Sequence, residues 1–191
     1  MGYRGDLVMP ASWSQVTIRM STAIMLAYSP DGFVIAADGL QKNSYDPNKF
    51  NPTTQKIFDL SYGRDHIAFS LSGVAQYTAA HSDSVVFDFN EEALAAAASL
   101  HGRHCKKLGG YAVRLSRIIN ERLRIVASHG SVSDFEGSAL EPQSDAKTIA
   151  VLTLAGYYNT DPQIAVVYFR HKDQRLHEPE ICQYPASSGR S

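Results

Sequence analysis

Residues 21–39, STAIMLAYSPDGFVIAADG, constrain the fold of this chain more than any other stretch. Two β-prone runs, Thr22–Tyr28 and Phe33–Ala37, flank Ser29-Pro30-Asp31-Gly32. Proline presets φ at the first central position of a turn, and glycine takes the left-handed position. The segment therefore reads as a β-hairpin closed by a type I turn with a bulge. Counting back from Ser29 opposite Gly32 sets Ala23 against Asp38. Thr22 and Asp38 then meet at the open end of the hairpin.

The same reading extends along the chain. Thr54–Ser61 and His66–Ser72 form a second strand pair, with a turn at Tyr62–Asp65. Gly73 ends that strand, and GVAQYTAAH after it is expected to open a helix. Between Glu91 and Val126 the apolar spacing becomes helical: Leu108, Tyr111, Leu115, Ile118 and Ile119 recur every three to four residues. Gly109-Gly110 is expected to separate two helices. Strand patterns return in Thr148–Tyr157, Gln163–His171 and Leu176–Gln183 after a polar loop, Ser131–Asp145. Strands, then helices, then strands describe a layered α+β domain.

A chain of 191 residues fits a single core, and neither repeats nor a composition shift mark a second domain. Hydrophobic residues make up 44%, charged residues 19%, and the formal net charge is -1, without the basic excess of a nucleic-acid binder. No run reaches the roughly 18 apolar residues of a membrane span. Cys105 and Cys182 are too few for a disulfide framework, so a cytoplasmic location is expected. Residues 1–20 lack a secretory pattern and read as a leader, propeptide or non-native extension ahead of a domain over 21–191.

In residues and order, Thr22 to Ala36-Ala37-Asp38, then Lys56 before Ile57, then IAFSLSG ending in Gly73, resembles the proteasome β-subunit and the bacterial ATP-dependent protease subunit, both N-terminal nucleophile hydrolases. Ala155–Tyr157 and PQIAVVYF resemble later strands of that family. The resemblance implies a four-layer αββα sandwich, incomplete at its C-terminal side. It also implies threonine-type hydrolysis of peptide bonds in a homo- or hetero-oligomeric ring, with polypeptide substrates, no cofactor or metal, and a separate unfolding ATPase as partner. In family terms Thr22 is the nucleophile and its freed α-amine the base. Lys56 lowers the proton affinity of both, Asp38 orients Lys56, and the Gly73 N–H stabilises the oxyanion.

The chain also departs from the family pattern. Ser21 stands where self-cleaving precursors carry glycine, and a start at Met20 would make Ser21 the second-choice nucleophile. Beyond Ser187 and Ser188, candidates for a helper serine, nothing matches the family's later polar residues. Two alternatives therefore stand beside the peptidase: a non-catalytic structural subunit of such an assembly, and an N-terminal nucleophile amidohydrolase acting on a small amide. Elsewhere, His101, His104 and Cys105 share a helical spacing but lack a metal motif and read as ordinary helix residues. Arg114, Arg117, Arg122 and Arg124 read as a solvated helix face.

Overall fold

In the computed structural model, the structure describes residues 19–20, 24–29, 32–38, 41–42, 50–51, 55–61, 65–74, 76–78, 85–101, 103, 105, 107–128, 147–158, 161–172 and 175–185. The elements in chain order begin with β1 (Arg19–Met20), β2 (Ile24–Ser29), β3 (Gly32–Ala37), β4 (Gln41–Lys42), β5 (Phe50–Asn51) and β6 (Ile57–Asp59). They continue with β7 (His66–Val74), β8 (Gln76–Thr78), β9 (Val85–Asp88), α1 (Phe89–Leu100) and α2 (Leu108–Ser128). The last four are β10 (Lys147–Tyr158), β11 (Asp161–Lys172), β12 (Arg175–Leu176) and β13 (Glu180–Pro185).

Among the described residues the central sheet has seven strands and every pairing in it is antiparallel. Its spine is β7–β10–β11. β6 and β1 line the outer edge of β7 in succession, and β12 and β13 line that of β11.

Alternation along these strands divides the sheet into two faces. Ile67, Phe69 and Leu71 of β7, Leu152 and Leu154 of β10, and Val167 and Phe169 of β11 are buried in register against the helices. The helices present matching stripes. α2 buries Leu108, Tyr111, Leu115, Ile119 and Leu123, each at most 1% exposed, as its apolar spacing requires. α1 starts where Asp88 Oδ1 accepts hydrogen bonds from Asn90 N (2.8 Å) and Glu91 N (3.1 Å), capping two of the helix's first N–H groups. Edge-on contacts of Phe89 with Phe87 (4.8 Å) and Phe169 (5.8 Å) join this helix start to the sheet.

The opposite face carries Ser70, Val151, Thr153, Ala155 and Tyr157, the first four buried. Here lies the β2–β3 hairpin, whose Phe33 ring sits 6.2 Å from that of Tyr157. Ile24, Leu26 and Ile35 are half-buried, whereas Met25, Ala27 and Val34 are exposed. Helices, large sheet and hairpin form three successive layers of a mixed α/β domain. The second helical layer of the expected αββα sandwich is not among the described residues.

Several boundaries differ from the sequence reading. β7 does not stop at Gly73 but runs on to Val74. The segment after it forms β8, paired with β9, and the first helix begins only at Phe89. Nor do Gly109 and Gly110 separate the helices. Their break is the link after His101, which leaves helical geometry at ψ 129°, and both glycines lie in the first turn of α2. A Cβ on Gly109 would meet the Gln183 side-chain amide, and one on Gly110 would meet Cys105 Cβ at 3.2 Å. Neither glycine ends a helix: Gly109 lies under the movable Gln183 side chain and Gly110 close against Cys105. The expected strand Leu176–Gln183 is broken by Pro179, which offers no N–H to the ladder, into β12 and β13. The Tyr62–Arg64 turn and the Ser131–Asp145 loop lie outside the described residues.

Candidate functional site

Lys56 immediately precedes β6, whose register sets Ile57 opposite Ser70, Phe58 opposite Phe69 and Asp59 opposite Ala68. Its ammonium reaches across to the residue following β3: Lys56 Nζ donates to Asp38 Oδ1 at 2.6 Å. The lysine side chain is 1% exposed and the aspartate 43%. A buried ammonium requires a partner of this kind, because its desolvation costs several kcal/mol if uncompensated. Lysine before a short strand is ordinarily solvated. Here the fold buries it against the residue that follows the hairpin.

Gly73 lies farther along β7, at the end of the sheet where β6 begins. It is buried with φ +107°, a conformation that L side chains rarely adopt. A Cβ there would meet Ile149 O at 2.5 Å and Ala150 Cα at 2.7 Å, both backbone atoms of the neighbouring β10. Glycine is thus demanded by sterics alone, a constraint not visible in the sequence around it.

On the outer edge of β7 the chain preceding the candidate nucleophile comes alongside: Met20 pairs with Gly73 and Arg19 with Val74. The hairpin register, Ile24 with Ala37 through Ser29 with Gly32, agrees with the count made from the turn. Ser21 and Thr22 lie outside the described residues, as do Ser187 and Ser188. Their described neighbours Met20 and Ile24 are paired with Gly73 and Ala37, and Ala37 directly precedes Asp38. The structure therefore brings together Asp38 and Lys56, and runs the backbone on either side of Thr22 against Gly73 and the residue before Asp38.

Other candidates resolve differently. Cys105 is not on a helix but in the α1–α2 link, buried, with burial pushing its thiol pKa up from the ordinary value. Such a thiol is a poor nucleophile at neutral pH. His101 ends α1 and His104 lies outside the described residues. Among the described residues no group of His, Cys, Asp and Glu is placed to hold a metal ion. A cleft of about 450 Å³ between Lys107, Gln163, Gln183 and Tyr184 opens at the opposite end of the sheet from Gly73. Ser70, missed in the sequence, carries a buried hydroxyl on the sheet face opposite the helices that has no hydrogen-bond partner among the described residues.

Comparison with protein-family models, characterised proteins and solved structures finds no match to this chain. No described helix is long and apolar enough to cross a membrane.

Proposed function

We propose that this chain is a threonine-type peptidase subunit with an αββα N-terminal nucleophile fold, acting on polypeptides within a proteasome-like ring in the cytoplasm. The observation that carries this reading is the 2.6 Å contact of a 1% exposed Lys56 with Asp38, at the end of the sheet that holds Gly73. Burying a lysine charge is costly, and doing so beside the residues that flank Thr22 gives its positive potential a use.

In the proposed reaction, removal of residues 1–21 frees the Thr22 α-amine, whose ordinary pKa of about 7.7–8.0 leaves it partly neutral near pH 7. The amine accepts the hydroxyl proton as Thr22 Oγ attacks the substrate carbonyl carbon. Lys56 favours the developing alkoxide, and Asp38 keeps the ammonium in place. The Gly73 N–H donates to the oxyanion. The amine then returns its proton to the departing amine, leaving an ester on Thr22 that water hydrolyses. The scheme requires neither metal nor organic cofactor. An unfolding ATPase would supply extended substrate.

A second reading is favoured by the β1–β7 pairing. While residues before Thr22 lie along Gly73–Val74, the nucleophile has no free amine, and the chain would serve as a structural subunit. Intact mass of the protein purified from cells distinguishes the two. A species beginning at Thr22 that cleaves peptides, and loses that activity in Thr22→Ala, supports the peptidase. A start at Ser21 moves the nucleophile there. A full-length mass without hydrolysis leaves the structural subunit. Cleavage of small amides but not peptides by a free monomer would instead identify an amidohydrolase.

A further inference from the structure

We draw no further inference here: the strongest candidate, the outward face of the β2–β3 hairpin, where exposed Met25, Ala27 and Val34 form an apolar patch, carries nothing because nothing among the described residues shows what covers it.

Discussion

Lys56 and Asp38, 18 positions apart in sequence, share one ion pair whose two ends see different solvents: 1% exposure for the ammonium and 43% for the carboxylate. The two halves of the pair should therefore not be equivalent. Asp38→Asn removes the carboxylate from a buried ammonium and is expected to cost about 2–4 kcal/mol. Lys56→Met removes the buried charge itself and leaves an aspartate that water already reaches, so about 1 kcal/mol or less is expected. Urea unfolding of both variants checks the order. A larger loss for Lys56→Met would mean that the lysine stem, not its charge, holds the hairpin on the sheet. Both variants should abolish hydrolysis by the mature chain under the proposed function.

Gly73→Ala is expected to destabilise by about 2–4 kcal/mol, since its Cβ would strike the β10 backbone and φ is positive. The melting temperature should fall accordingly. A variant as stable as wild type would show that β7 and β10 separate easily at this end of the sheet, and that the steric account of Gly73 is mistaken.

Ser70→Ala should leave stability unchanged or raise it by about 1 kcal/mol, because it deletes a buried hydroxyl that has no hydrogen-bond partner among the described residues. A loss of more than about 1 kcal/mol in denaturant unfolding would reveal a bonded role for that oxygen.

Alkaline pH should weaken the fold through Cys105 and Tyr111. Burial raises the pKa of both, from ordinary values of 9.0 and 10.0, with the carboxylate of Asp65 acting in the same direction. The unfolded chain then releases these protons before the folded chain does. Their contribution is whole below about pH 9 and is lost as pH rises through the folded values. Unfolding free energy measured between about pH 7 and pH 10 should decline, and Cys105→Ala should flatten the decline. In the native protein, a thiol reagent at neutral pH should modify half-buried Cys182 well before Cys105. Equal rates would place Cys105 nearer to solvent than its burial indicates.

Local chemistry was enough to set much of this architecture. Pro30 and Gly32 encode the hairpin register, because turn geometry acts over four residues. The spacing of Leu108, Tyr111, Leu115 and Ile119 encodes the buried face of α2, because helical period is a local property. The candidates Asp38 and Lys56 could be named only through the resemblance to N-terminal nucleophile hydrolases, since by residue type they read as a turn aspartate and a solvated lysine. Their contact could not, since it requires the residue after the hairpin and the residue before β6, 18 positions apart, to be brought together in a buried place by the rest of the fold. Gly73 was expected to end a strand. Its actual constraint comes from Ile149 and Ala150, distant in sequence and adjacent only through strand pairing. Likewise, Gly109 and Gly110 look like a helix break until Gln183 and Cys105 are brought against them. Period and turn type are written in neighbouring residues. Close approach, burial of charge and the cost of a Cβ depend on what the rest of the chain places alongside.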